Sequence, residues 1–340
     1  MRNRLPNQPP LADPLVGLDA TYSLGPNLSG VGKYSLHLMS GLASRIRTRL
    51  FYRPHRILRA PWPKRLLLDS LPPNVDLFHG LNQRLPLTKR CTSVTTFHDL
   101  FVLTSEYSSR DFRTRFAAQA REAAERSDRI IAVSQFTADQ VVEHLSYPSD
   151  QIRVVPHGVQ LPTTVASFDT RNPVVLCVGA IQKRKNTSRL IRAFRAMPAP
   201  WELWIAGSRG FAADEMLADL PANVRLLGYV SEAELGRLYQ QASIFAFPSL
   251  DEGFGMPVLE AMAHGLPVLS STTSALPEVA GDAALLVDPS DTDAIANGLI
   301  QLCDQDLRAR LTERGLVRAS EFSWDVAANR TEAVYRELLG

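Results

Sequence analysis

The chain has 340 residues, 45% of them hydrophobic and 21% charged, which is long enough for two domains with separate cores and excludes disordered and fibrous classes. Net charge is only +2, yet residues 1–160 hold 21 Lys and Arg against 13 Asp and Glu, while the remainder holds 16 against 22. The basic half could lean on an anionic membrane surface, where each cation contributes about 1 kcal/mol, or meet an acidic substrate, and it would serve equally as a solvated face. The N-terminus, MRNRLPNQPPLADP, has no apolar run, and no stretch of about 18 apolar residues follows anywhere. Neither a signal peptide nor a membrane span is therefore expected. The expected location is cytoplasmic, with peripheral contact at the inner face of the membrane left open.

Short apolar runs alternate with amphipathic stretches, which predicts an α/β class with parallel sheets covered by helices. In chain order the first half offers strands at 15–20 (LVGLDA), 75–80 (VDLFHG), 93–99 (SVTTFHD) and 129–134 (RIIAVS). Cys91, Cys177 and Cys303 lie far apart with no CxxC pair, so they are read as structural. Residues 160–173 carry prolines and threonines without apolar periodicity, as a linker would. We therefore divide the chain into a Rossmann-like domain over 1–160, a linker over 161–173 and a second Rossmann-like domain over 174–323. The alternation restarts at 173–179 (PVVLCVG), 201–207 (WELWIAG), 223–230 (NVRLLGYV), 243–249 (SIFAFPS), 266–271 (LPVLSS) and 283–289 (AALLVDP). Two doubly wound parallel sheets facing a central cleft are the expectation, since open sheets place ligands at their strand ends. The last stretch, 324–340, has Trp324, Ala327, Ala328, Val334, Tyr335, Leu338 and Leu339 at helical spacing and needs a surface to cover.

The segment DEGFGMPVLEAMAHGLPVL carries the most chemistry. Pro257 suits the first turn of a helix, so the amides between Gly253 and Val258 should include donors for a phosphate or a sugar hydroxyl. Glu260 falls one turn further in, where a carboxylate could accept two hydrogen bonds from a ribose diol, and Glu252 before the loop could bind a sugar. A dipole-complementing acid and a solvent-facing Glu are the bland alternative. His98, at a strand end, could bond a sugar hydroxyl through one nitrogen while a neighbouring group such as Asp99 holds the other. Ser231 with Glu234 reads as a capping box. The DxD at Asp291 to Asp293 begins a helix that its acids would cap, so no metal is assigned.

Taken together, EGFGMPVLEAMAHGLPV resembles the donor-binding motif of glycosyltransferase family 4, whose members are retaining enzymes of the GT-B fold. VGAIQKRKN resembles the basic turn that binds the donor diphosphate in that family, with Arg184 and Lys185 at the matching positions. Ala180 stands where many members have Arg, and the RKN ending is similar to a subgroup that contains polysaccharide mannosyltransferases. TTFHDL resembles the motif whose His, here His98, faces the donor sugar. NLSGVGKYSLHL resembles the glycine loop in which Gly30 and Gly32 let backbone approach the phosphates. The segments VSQFTADQV, VVPHGV, LGYVSEAEL and LPEVAGDAALLVDP complete the match in the family's order. The resemblance implies that backbone near Tyr229 and Val230 meets the base, that Gly253, Phe254, Gly255, Met256, Pro257, Val258 and Glu260 line the donor, and that 324–340 crosses back onto the first domain. It further implies a hexosyltransferase without metal or other cofactor, using GDP-mannose or a UDP-hexose as donor and a glycan or lipid-linked saccharide as acceptor. No nucleic-acid partner is expected. A nucleotide-sugar binder without transferase activity and a same-fold epimerase are the rival readings.

Overall fold

The computed structural model describes residues 14–25, 28–53, 74–86, 89–167, 170–210, 213–217 and 220–340. The N-terminal segment examined for a leader, residues 1–13, lies outside them, as do Asn27 of the glycine-loop motif and two residues of the expected linker. Two six-stranded parallel sheets form the framework. The first comprises β1 (Leu15–Asp19), β2 (Arg47–Phe51), β3 (Leu77–Gly80), β4 (Thr92–Phe97), β5 (Arg129–Ala132) and β6 (Ile152–Val154), in the order β2-β1-β3-β4-β5-β6. The second comprises β7 (Val174–Val178), β8 (Glu202–Ala206), β9 (Val224–Gly228), β10 (Ile244–Phe247), β11 (Val268–Ser271) and β12 (Ala284–Val287), in the order β12-β11-β10-β7-β8-β9.

The central strands are continuous apolar runs because helices cover both faces of each sheet. Two strands had no such signature. β2, RTRLF, is a half-exposed edge strand, and β6 is a three-residue edge on the opposite side. An edge strand buried on one side only needs few apolar residues, which is why the hydrophobic pattern passed over both.

In both sheets the strand order reverses at one point, between β1 and β3 in the first and between β7 and β10 in the second. Neighbouring connections leave in opposite directions there, and a crevice opens at the carboxyl ends of the strands. The helix Trp324–Leu339 packs on Gly30–Ala43, burying Ala327, Ala328, Val334 and Tyr335 in the core of the first sheet. The Tyr335 hydroxyl lies 2.6 Å from Nδ1 of the buried His79, and Gly41 leaves no room for a side chain against Ala328. The amide of Val159 donates to Phe322 O at 2.9 Å, so the two chain crossings between the halves run side by side. The second half begins earlier than strand β7 does. Arg171 is buried and its guanidinium reaches the carbonyls of Tyr239, Ala242 and His264 at 2.7, 2.8 and 2.6 Å. Three charge-assisted bonds bind the end of the expected linker firmly to the second sheet's helices.

Candidate active site

The reversal between β7 and β10 brings together two loops that the sequence separates by more than sixty residues. After β7, Gly179 adopts φ +146, a conformation that disfavours any side chain, and the chain turns through Lys183–Lys185. Asn186 ends that turn in the left-handed region at φ 59, and its Nδ2 donates to Pro248 O at 2.9 Å and Pro289 O at 2.7 Å. The amide of Leu250, after β10, donates to Arg184 O at 2.8 Å, stitching the two loops together. Glu252 then bridges both cations: Oε1 accepts from Lys185 Nζ at 2.6 Å, and Oε2 faces Arg184 Nη1 at 2.8 Å. Arg184 Nη1 also donates to Asp251 O at 2.6 Å. Each cation lies over an aromatic face, Arg184 at 4.5 Å from the Phe101 ring centre and Lys185 at 4.6 Å from that of Phe247. Glu252, expected as a sugar contact, is thus also the anion that sets the position of Arg184 and Lys185.

Three acids therefore surround two cations. Burial would raise the Glu252 carboxyl, but Arg184 and Lys185 outweigh it and hold the group down at about 2. Burial pushes Asp99 and Asp251 up to about 6, against the pull of Arg184. Burial also lowers Lys185, with Arg184 adding to the effect and Glu252 opposing it. Asp251 accepts from Thr104 Oγ1 at 3.3 Å through one oxygen, while its other oxygen is buried with no partner. Because the folded state binds this proton more tightly than the unfolded chain does, the acid's favourable contribution is complete below about pH 4 and is lost as pH rises through about 6. Asp251→Asn should consequently stabilise the fold by about 1–3 kcal/mol at pH 7.5, and by almost nothing at pH 4. Urea midpoints at the two pH values test this, and a pH-independent difference would refute it.

The loop Gly253–Gly255 leads into the helix Met256–Ala263, with Gly255 at φ +100 as its cap and Pro257 in its first turn. The expected row of free amides is shorter than the sequence suggests. Pro257 has no N–H, and the Val258 amide is already spent on Gly255 O at 3.0 Å. Phe254 and Val258 turn their side chains into the core, which leaves only their backbone available to a ligand. Glu260 lies beside a cleft of about 410 Å³ lined by Lys33, Tyr239 and Met256 among others. Its two oxygens are taken: Oε2 accepts from the Tyr239 hydroxyl at 3.0 Å and Oε1 faces Lys33 Nζ at 3.3 Å. Lys33 belongs to the first half and also meets Glu232 Oε1 at 2.8 Å. Burial lowers the lysine, but Glu260 and Glu232 prevail and raise it. Any ribose reaching Glu260 must share it with Lys33, a residue the sequence reading did not single out.

The first half closes over the same loop. Ser134 caps the helix Gln135–Leu145, and both Ser134 Oγ and Thr137 Oγ1 donate to Gly253 O, at 2.6 and 3.0 Å. At the same helix start, the amides of Gln135 and Phe136 donate to the Glu278 carboxylate. His98 follows β4 and is buried, which lowers its imidazole to about 4. Its Nε2 donates to Leu81 O at 2.9 Å, so the ring is fixed by that carbonyl and not by Asp99 as expected. Asp99 instead has its own carbonyl held by Gln83 Nε2 at 2.8 Å. His157 stacks on His98 with ring centres 5.3 Å apart, and Phe254 meets His157 edge-on at 4.8 Å.

Gly30 and Gly32 lie in the first turn of Gly30–Ala43, not in a loop before it. Gly32 donates its amide to the Ser29 cap at 3.3 Å, and a side chain there would strike Tyr22 O. Its glycine therefore has a packing reason, and of the pair only Gly30 faces open space. Val230 packs partly buried beside the second core, with Tyr229 exposed, and Ser231 and Glu234 form the expected capping box. Asp291 caps Thr292–Gln301 by accepting from the amides of Asp293 and Ala294, as the helix reading of that DxD requires.

Comparison with known proteins supplies independent findings. Residues 29–161 match the family described as Glycosyltransferase Family 4, and residues 172–305 match Glycosyl transferases group 1. The chain is 33% identical over 286 residues to the O-antigen chain mannosyltransferase B of Escherichia coli, covering 77% of this chain and 74% of that one. It is 30% identical over 237 residues to the MMP alpha-(1->4)-mannosyltransferase of Mycolicibacterium hassiacum, covering 66% and 57% respectively. The serotype-specific mannosyltransferase WbdA of Escherichia coli is 27% identical over 282 residues, and the match spans only 34% of that longer relative. Among solved structures, sucrose-phosphate synthase of Thermosynechococcus elongatus superposes with a TM-score of 0.77 at 22% identity, covering 96% of this chain and 99% of that one. Anabaena HepE in complex with UDP and glucose gives 0.74 at 16% identity, covering 96% and 100%. At these identities the two structures establish the shared GT-B fold and nothing finer.

Proposed function

The chain belongs to glycosyltransferase family 4, and from that premise we propose that it transfers a hexose, with mannose as first choice, from a nucleoside diphosphate sugar to a hydroxyl of a glycan or lipid-linked saccharide. The observation that carries this reading is the pair Arg184 and Lys185, held by Glu252 at the β7–β10 reversal where an open sheet receives its ligand. Loss of a diphosphate is the demanding step, and preorganised positive charge around it is the largest catalytic contribution available. In the proposed complex the two cations and the helix start at Met256 offset the leaving group's charge without a metal. His98, buried and neutral at pH 7, offers its second nitrogen to the sugar. The proposed stereochemistry, supported by the family resemblance, is retention at the anomeric carbon, with attack on the face from which the diphosphate departs. GDP-mannose is the donor proposed first, because the relatives of highest identity above are named mannosyltransferases.

Calorimetric titration with GDP, UDP and ADP in chelator tests the donor reading. One nucleotide is expected to bind tightly, and Glu260→Ala should weaken it by about tenfold or more, since a charged acceptor lost from a ribose diol costs about 1.5–3 kcal/mol. Undiminished binding by the variant would remove Glu260 from the site. Nucleotide binding without transfer to any saccharide would favour a silent binder instead.

A further inference from the structure

The hydrogen bond from His98 Nε2 to Leu81 O anchors one point of the imidazole, but a single bond does not set the plane of a ring. The plane is set by what lies against its face. His157 lies nearly parallel to His98, with 12° between the rings and their centres 5.3 Å apart, and Tyr34 meets both imidazoles edge-on at 4.6 and 4.8 Å. Because Nε2 carries the proton that Leu81 accepts, Nδ1 is left as an acceptor, and the direction of its lone pair turns with the ring.

His157 has little freedom to move. It is 4% exposed and precedes Gly158, where a β-carbon would lie 2.2 Å from the amide nitrogen of Trp324, so the two chain crossings are in backbone contact there. Phe254 of the donor loop meets His157 edge-on at 4.8 Å and also packs on Phe322, beside the second crossing, at 6.0 Å. One ring thus touches His98 in the first half and the donor loop of the second. A histidine is not the most stable choice for this place. Its Nδ1 is buried with no hydrogen-bond partner, a cost that a phenyl ring would avoid. Burial, with His98 adding to it, keeps the His157 imidazole well below its ordinary range, so the two stacked rings meet without charge repulsion at pH 7.

We infer that His157 is a positioning residue for His98: its ring, seated on the chain crossing between the halves, sets the plane of the His98 imidazole and ties it, through Phe254, to the position of the donor loop. This rests on the transferase reading above, in which His98 offers its second nitrogen to the sugar, and adds the group that determines where that nitrogen points. His157 touches no substrate in this arrangement and acts through His98 alone.

Two substitutions in the full chain test it, His157→Leu, which removes the flat face, and His157→Phe, which keeps it. With saturating donor, His157→Leu should lower kcat about tenfold or more, because rate falls steeply when a reacting group is misplaced, and calorimetric nucleotide affinity should stay unchanged. His157→Phe should recover most of that loss. The pH profile adds a reading that mere loss of stability would not move. Burial holds His98 at about 4, and the titratable groups facing it, His157, His79 and Tyr34, are themselves buried and uncharged at pH 7. Released from the stack and reached by water, His98 in His157→Leu should titrate closer to the ordinary histidine value of about 6.5, so the acid limb of kcat should move upward from about pH 4. Long-range nitrogen–proton NMR of the histidine rings follows the same titration without turnover, with His98→Asn identifying the signal. Wild type should show His98 as a single Nε2–H tautomer, and His157→Leu a mixture that titrates higher. Should His157→Leu melt below the assay temperature, His157→Met fills the space without a flat face and carries the same expectations. A folded His157→Leu with wild-type kcat, acid limb and tautomer would overturn the inference, as would a folded His157→Phe as impaired as the leucine variant. If no saccharide receives a hexose from any nucleotide sugar, the transferase reading fails on its own, and the tautomer and titration of His98 still decide whether His157 sets its ring.

Discussion

Replacing Lys185 by alanine is expected to lower turnover about 100-fold or more, the scale of losing one preorganised electrostatic donor in other enzymes. The lysine is nearly enclosed, with its ammonium 2.6 Å from Glu252 and over the Phe247 ring, so water cannot substitute for it cheaply. Its removal has a second consequence. Glu252 keeps only Arg184 as a cationic partner, and the arginine is drawn further into that pair at the expense of a phosphate. Lys185→Ala should thus lose more than a single phosphate contact would predict, and Lys185→Arg should recover little because a planar fork does not fit where a compact ammonium sat. Steady-state kcat with saturating donor measures the effect, and a melting curve separates it from misfolding. Near-normal turnover would remove Lys185 from the chemistry.

The two sheets were legible because ten of their strands are apolar runs bounded by turn residues, and the second sheet in particular follows the sequence reading strand by strand. Edge strands β2 and β6 escaped for the physical reason that they bury too little to need a pattern. The candidate donor motif was legible because its features are local: a glycine turn, a helix start and a carboxylate one turn on. What stayed hidden was every contact made across the chain. No local feature of residue 33 announces that its ammonium meets Glu260, and none at Phe101 that its ring receives Arg184. The partner of His98 stayed hidden for the same reason: the neighbour in sequence, Asp99, feels the charge of Arg184, while a carbonyl from another strand's loop holds the ring. Sequence spacing identified the groups, and the fold decided which of them meet.

Gly253 shows how sharply the fold constrains one such meeting. A β-carbon at this position would lie 1.8 Å from His98 O and 2.8 Å from its carbonyl carbon, distances no side chain tolerates, and the obstacle is backbone at the end of β4. The loop cannot retreat easily either, because Gly253 O is gripped by Ser134 and Thr137 from the same half. Gly253→Ala should therefore leave each sheet folded but hold the halves apart by an ångström or more at the point where His98 approaches the donor loop. Since a misplacement of about 1 Å can cost about 100-fold in rate, turnover should fall by at least that factor. With the nucleotide bound to the second half as proposed, its affinity should change only a few-fold. Small-angle scattering should report a larger particle for the variant than for wild type with nucleotide bound to both, as expected when closure is blocked. Full activity in Gly253→Ala would mean that transfer proceeds with the halves further apart than they stand here, and His98 would then be too distant to touch the sugar.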